Sequence, residues 1–164
     1  MEVRRITAAE WPLLRELRLA SLRDAPEAFG QTYDNALLEP DSEWQSAARA
    51  SATGDRRAWF IAFDAGGTAL GLVQARRRPP AECLVFSMWV APAARRLGTG
   101  RALLDAVEEW ARGWGAQRIV LWVFGTNEGA QRFYEQTAFR FVPDGPDADS
   151  GQSYGAVAME RLLN

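Results

Sequence analysis

The residues best suited to chemistry lie between Val90 and Leu104, which read Val-Ala-Pro-Ala-Ala-Arg-Arg-Leu-Gly-Thr-Gly-Arg-Ala-Leu-Leu. An apolar run ends there, a turn with two glycines follows, and a helical stripe begins. Backbone N–H groups in such a turn converge outward at the positive end of a helix dipole, unpaired within the helix. That geometry suits a pyrophosphate. Gly98 and Gly100 let phosphates approach the main chain without a Cβ in the way. Arg95, Arg96 and Arg101 add charge-assisted contacts. A plain strand-to-helix turn, with glycines for tightness, is the other reading of the same residues. Two better-known nucleotide loops do not fit. A dinucleotide fingerprint needs a third glycine where Leu103 stands, and a Walker loop needs a lysine, of which the chain has none.

The chain has 164 residues, 48% of them hydrophobic and 24% charged, the composition of one folded domain of ordinary size. It contains no histidine, which removes Ser-His-Asp, Cys-His and His-metal mechanisms. Its one cysteine, Cys83, can form neither an internal disulfide nor a multi-cysteine zinc site. Cys83 reads as a small buried hydrophobe rather than a nucleophile, and no metal is expected. All 19 cations are Arg, against 21 acidic residues, for a net charge of −2. That balance argues against nucleic acid as a partner, with Arg76-Arg77-Arg78 the one local basic spot. The longest uncharged run, Cys83 to Ala94, has twelve residues, whereas about 20 are needed to span a bilayer. Met1-Glu2-Val3-Arg4-Arg5 leads into no apolar signal core. The expectation is a cytoplasmic protein with no membrane partner.

The elements that position the glycine turn follow from periodicity. Val3 to Thr7 reads as a strand, and Trp11, Leu14, Leu17, Arg18 and Leu22 recur at helical spacing. Asp24 to Gly30 is a loop with Phe29 as its apolar anchor, and Asp41 opens a second helix running to about Ser51. Ala58 to Asp64 and Ala69 to Arg77 are strands about an Ala-Gly-Gly-Thr hairpin turn, and Cys83 to Val90 is a long apolar strand. Arg101 to Trp114 is a helix capped by Gly115, Ile119 to Phe124 a buried strand, and Asn127 to Gln136 a helix. Phe139 to Val142 and Tyr154 to Leu162 supply two last strands, joined by an Asp/Gly/Pro/Ser-rich loop from Pro143 to Ser153. The order β-α-α-β-β-β-α-β-α-β-β makes an α/β class with a mixed central β-sheet flanked by helices, a single domain over 1–164.

Arg95-x-x-Gly98-x-Gly100 after Val90-x-Pro92 resembles the acetyl-CoA pyrophosphate motif of the GNAT superfamily of N-acetyltransferases. Downstream, Asn127-x-x-Ala130-x-x-Phe133-Tyr134-Glu135-x-x-Ala138-Phe139 is similar to that superfamily's second signature, at the expected distance. The element order also matches its fold, with residues 1–57 on the acceptor side and 58–164 as the cofactor-binding core. The resemblance implies that acetyl-CoA is the co-substrate, its pantetheine arm lying along the fourth strand at Met88, Trp89 and Val90. It implies that Arg95, Arg96, Leu97, Gly98, Thr99, Gly100 and Arg101 hold the pyrophosphate and that Asn127 meets the pantetheine arm. It makes Tyr134 the general acid for the leaving thiolate. A phenol with reference pKa about 10 can protonate a thiolate near 8.5 only slightly uphill. Tyr134 also reads as a core aromatic and Asn127 as a helix N-cap, and neither reading excludes the catalytic one.

With no histidine, the general base is a carboxylate, a backbone carbonyl or water. Glu82 is the candidate carboxylate, sharing side-chain parity with Leu84, Phe86, Met88 and Val90 unless a bulge intervenes; a solvated glutamate is the alternative. Relatives that acetylate protein N-termini carry Glu in the middle of a Leu-x-Val where this chain has Leu121-Trp122-Val123, which weighs against a ribosomal-protein substrate. Ala138 stands where the family has Gly, which suggests a slightly different turn. Phe29, Tyr33, Trp44 and Trp122 are the candidate lining of an acceptor pocket. The expected activity is direct acetyl transfer to a primary amine of a small molecule or peptide, and the rival is a non-catalytic acyl-CoA-binding sensor. A longer acyl donor or an O-acceptor is a third reading, against which bulky Phe86, Met88 and Trp89 lean. A homodimer through the last two strands is also expected.

Overall fold

The computed structural model describes residues 1–143 and 155–164. Strands β1 (Glu2–Arg5), β2 (Arg57–Phe63), β3 (Ala69–Arg78), β4 (Glu82–Val90), β5 (Arg118–Phe124), β6 (Arg140–Phe141) and β7 (Ala156–Leu162) form one sheet. Their order is β1-β2-β3-β4-β5-β7-β6. Every neighbouring pair is antiparallel except β4 and β5, which run parallel. A parallel pair needs a crossover, and α4 (Thr99–Gly113) supplies it. The other helices are α1 (Trp11–Asp24), α2 (Tyr33–Leu37), α3 (Asp41–Ala52) and α5 (Glu128–Gln136).

Both faces of the sheet are covered, which is why β2 reads as a nearly unbroken apolar run. On one face Phe60, Val73, Val85 and Leu121 pack with Leu103, Leu104 and Val107 of α4. On the other, Trp59, Ile61 and Leu72 meet Leu14, Leu17 and Leu22 of α1 and Trp44 and Ala48 of α3. Cys83 is fully buried in the first of these clusters, and burial pushes its thiol up to about 12. At neutral pH it is a hydrophobe, as expected.

The expected elements are present with shifted ends, plus one more. Helix α4 begins at Thr99 rather than Arg101, and β1 is shorter than Val3 to Thr7. Helix α2 was not expected; its five residues are too few for a periodic stripe, and the Thr32 hydroxyl that caps it by accepting from Asn35 N is its one local signal. Tyr154 and residues 144–153 of the expected loop lie outside the described residues.

Ala138, which stands at the expected glycine position, adopts φ +67°, the left-handed conformation that glycine takes without steric cost. Replacing Ala138 by Gly should therefore stabilise the protein by about 0.5–1 kcal/mol, a rise in melting temperature of about 2 °C. An unchanged or lower melting temperature would show that this turn holds no strain.

Candidate active site

The site begins where two parallel strands part. Strands β4 and β5 pair from Glu82–Arg118 to Val85–Leu121 and no further. Beyond Val85, the β5-facing backbone groups of β4 lack a strand partner among the described residues. A bulge falls just after the split: Gln74 of β3 opposes Phe86, but Leu72 opposes Trp89, so β4 has one extra residue there. Ser87 takes φ +54° within it. The bulge reverses the side-chain alternation. Cys83 and Val85 face the α4 side before it, and Met88 and Val90 pack on that side after it, while Trp89 joins the α1 side. The parity linking Glu82 to Met88 and Val90 is thereby broken.

The turn ahead of α4 is built as its glycines suggest. Gly98 is the N-cap at φ +84°, and Arg96 is also left-handed at φ +63°. The first N–H of the helix to reach a backbone acceptor is that of Ala102, donating to Gly98 O at 3.0 Å. The N–H groups of Leu97 to Arg101 thus have no backbone acceptor among the described residues, at the positive end of a fifteen-residue helix. They form an anion cradle that fits a pyrophosphate. The side chains are placed otherwise than expected. Arg95 donates from Nε to Val90 O at 3.0 Å and from Nη2 to Asp24, which also accepts from Trp89 Nε1 at 2.9 Å. Those two donors outweigh burial and hold the Asp24 carboxyl below its usual range. Thr99 is buried with Oγ1 donating to Ala94 O, and Arg101 reaches Gln136 O at the end of α5. Of the three arginines of this turn, Arg96 alone keeps a guanidinium without a partner among the described residues. Gly100 also serves packing, since a Cβ there would lie 2.9 Å from Phe133 Cζ.

A cavity of about 790 Å³ runs through the split. At one end it is lined by Met88, Asn127, Ala130 and Tyr134, at the other by Arg18, Phe29, Glu39, Trp44, Arg57 and Arg76. Gln131 Nε2 donates to Phe124 O and Gly125 O and so fixes α5 against the end of β5. Asn127 is the α5 N-cap, its Oδ1 accepting from Ala130 N at 3.2 Å, while the residue still lines the cavity. Tyr134 packs edge-on to Phe139, with ring centroids 5.6 Å apart. Its hydroxyl has no partner among the described residues, and burial pushes the phenol well above its ordinary value. Both readings of Asn127 and of Tyr134 are thus compatible in one geometry.

Two expected site residues lie elsewhere. Glu82 does not line the cavity. It sits at the start of β4, where Oε1 accepts from Arg118 Nε at 2.7 Å and Oε2 from Arg78. Burial raises its pKa, but the hydrogen bonds from Arg118 and Arg78 outweigh this and leave it below the usual range. A carboxylate with both oxygens held by guanidinium groups is a poor base. Arg118 also binds Glu160, so the cluster ties β4, β5 and β7 together. Glu82→Gln should lower stability by about 2 kcal/mol while leaving turnover within about twofold. Because its folded pKa is depressed, the carboxylate contributes above its unfolded value near 4.3 and less as pH falls through the folded one. The stability gap should therefore close in acid, and a large loss of turnover in this variant would restore Glu82 as the base. Tyr33, the other misplaced residue, opens α2 outside the cavity, with its hydroxyl accepting from Arg23 Nη2.

Phe29, Trp44 and Trp122 do line the cavity, and Phe86 lies between Trp122 and the Arg76 guanidinium. Sequence reasoning missed Arg18, Gln31, Glu39, Glu43, Arg57, Gln74 and Arg76 of the same wall. One signal was available: Arg18 is a charged residue on the apolar stripe of α1.

The chain matches the model of the acetyltransferase (GNAT) family over residues 14–139. It is 31% identical over 81 residues to a mycothiol acetyltransferase of Beutenbergia cavernae, a match covering 49% of this chain and 27% of that one. It is 42% identical over 63 residues to an aminoglycoside N(6')-acetyltransferase type 1 of Klebsiella aerogenes, covering 34% and 41% of the two. The matches thus span less than half the length of either curated relative. A GCN5-related N-acetyltransferase structure from Kribbella flavida superposes with a TM-score of 0.75 at 26% identity, over 99% of this chain and 97% of that one. A strand pair that parts at a bulge, a helix N-terminus left open beside it and a match over most of the chain lead to one assignment: this protein belongs to the GNAT acetyltransferase family.

Proposed function

We propose that this chain transfers the acetyl group of acetyl-CoA to a primary amine of a small molecule or peptide, directly within a ternary complex. The observation that carries the reading is the cavity crossing the β4/β5 split, with Tyr134 at one end and a polar wall from α1, α3, β2 and β3 at the other. A donor held on the α5 side and an acceptor held on the α1 side can meet only there. In this reading the N–H groups of Leu97 to Arg101 hold the pyrophosphate, with Arg96 as the free cation. The open edge of β4 at Met88, Trp89 and Val90 bonds the pantetheine arm as a strand would, and a main-chain N–H there polarises the thioester oxygen. Tyr134 gives its proton to the departing thiolate. Residues 1–57 supply most of the acceptor wall and 58–164 the cofactor core. The acceptors in the relatives' names favour a small-molecule amine.

Release of the free thiol of CoA, followed with amino acids, polyamines, aminoglycosides and peptides, tests the activity. Turnover with any amine supports it, whereas tight acetyl-CoA binding with no turnover across the panel points to the sensor. No helix among the described residues is long and apolar enough to cross a membrane. A homodimer through the β6 edge, where Phe141 and Val157 are exposed, belongs to the same reading. Light scattering at micromolar concentration tests it, and a mass staying near 18.2 kDa overturns it.

A further inference from the structure

The acceptor end of the cavity holds three guanidinium groups with no carboxylate in ion-pair distance among the described residues. Arg57 and Arg76 are directly opposed on β2 and β3, so their side chains share one face of the sheet, and both line the cavity. Like charges placed face to face across two strands repel. Neither guanidinium has a carboxylate within ion-pair distance among the described residues. Arg76 lies over the Phe86 ring at 4.8 Å and donates to Gln74 Oε1, a neutral acceptor. Arg76 is exposed at its outer edge, and the desolvation of its covered part, then the Arg57 charge, hold it below the usual range.

Arg18 repeats the pattern from α1. The residue is 7% exposed and lines the same cavity. Its guanidinium donates to Gln31 Oε1 at 3.1 and 3.2 Å and to Ser21 Oγ at 3.4 Å, all neutral acceptors, and lies 4.7 Å from the Phe29 ring centroid. Burial pushes it down to about 10, with Glu39 acting in the opposite direction. Trp44 and Trp59, also on the wall, each keep a buried indole N–H with no acceptor among the described residues. Only Arg18 of the three guanidiniums is buried, Arg57 being half-buried and Arg76 exposed, so what needs an explanation is three positive charges on one cavity wall with no carboxylate paired to them. The wall also holds two carboxylates, Glu39 and Glu43; Glu39 accepts from Gln31 Nε2 at 3.0 Å, and neither is within ion-pair distance of the three guanidiniums.

We infer that the acceptor is an amine that itself carries an anionic group, a carboxylate or a phosphate, received by Arg57 and Arg76 with Arg18 behind them. Such a group supplies the charge-assisted hydrogen bonds that the wall lacks, and Glu39 and Glu43 suit the cationic end of the same molecule. A polycation such as a polyamine meets three guanidiniums and is disfavoured. The inference rests on the acetyltransferase reading for the role of the bound amine, but not for its binding.

The test is thermal melting of the CoA-saturated protein, which has no acetyl group to transfer, with amines matched except for the anion. The pairs are amino acids with their amides, and phosphoethanolamine with ethanolamine, with spermidine as the polycation. The anionic member of at least one pair should bind about tenfold or more tightly than its neutral partner. The amino-acid pairs report on carboxylate and the ethanolamine pair on phosphate. In the Arg57→Gln/Arg76→Gln double variant that ratio should fall to within about twofold, with the acetyl-CoA shift intact. Removing two facing like charges should not lower its melting temperature, and Arg76→Gln alone should give a partial loss. The inference fails if no anionic amine binds better than its neutral partner, if spermidine binds as well, or if the double variant keeps the ratio. The acetyltransferase reading fails separately, by loss of the acetyl-CoA shift in the unaltered protein or by absence of thiol release with every amine.

Discussion

Tyr134→Phe should lower turnover by about 10²-fold while leaving acetyl-CoA affinity within about twofold. The substitution keeps the ring that packs against Phe133 and Phe139 and deletes only the hydroxyl. That hydroxyl has no partner among the described residues, so its loss strands no buried donor or acceptor. Stability should therefore be nearly unchanged, which separates a chemical role from a packing one. The direction of the pKa shift adds a second readout. Burial raises the phenol above its ordinary value near 10, so it stays protonated through the working range. The pH profile of kcat should accordingly show no descending limb below about pH 10 that disappears in the variant. A fall in turnover of less than about threefold, measured where chemistry limits, would make Tyr134 a core aromatic and leave the thiolate to take its proton from water.

Leu97→Glu should weaken acetyl-CoA binding by about tenfold to a hundredfold with no change in the melting temperature of the free protein. Leu97 is 70% exposed in the row of N–H groups that have no backbone acceptor. A carboxylate there competes for the same donors and repels a pyrophosphate. The effect should shrink as salt rises, because exposed charges are screened. Gly100 is a poorer probe, since any side chain at that position first collides with Phe133 and confounds binding with folding. Unchanged affinity in the Leu97 variant would remove the pyrophosphate from this turn.

Much of this protein was legible in its residues because the signals are local. Alternation and helical spacing located all seven strands and the four long helices, since burial on a known face imposes a period that sequence shows directly. The glycine turn was legible for the same reason: a left-handed N-cap at Gly98 and an open helix end depend on neighbours within a few positions. Asn127 and Tyr134 reach the cavity because one short helix carries both.

The misplaced residues share a different cause. Glu82 and Met88 were joined by counting, and one extra residue at Ser87 reverses every side chain beyond it. No local pattern marks that bulge; it shows in how β4 pairs with β3. Arg95 looked free for phosphate until α1 brought Asp24 to it, a partner 71 positions away. The guanidinium pair of Arg57 and Arg76 exists only in the antiparallel register of β2 and β3, and Arg18 joins their wall only when α1 packs across the sheet. The sequence by itself therefore determined the family, the elements and the open glycine turn, each set by short-range periodicity and backbone conformation. The tertiary structure alone decided which charges are paired, because pairing depends on strand register and helix docking between residues far apart in the chain.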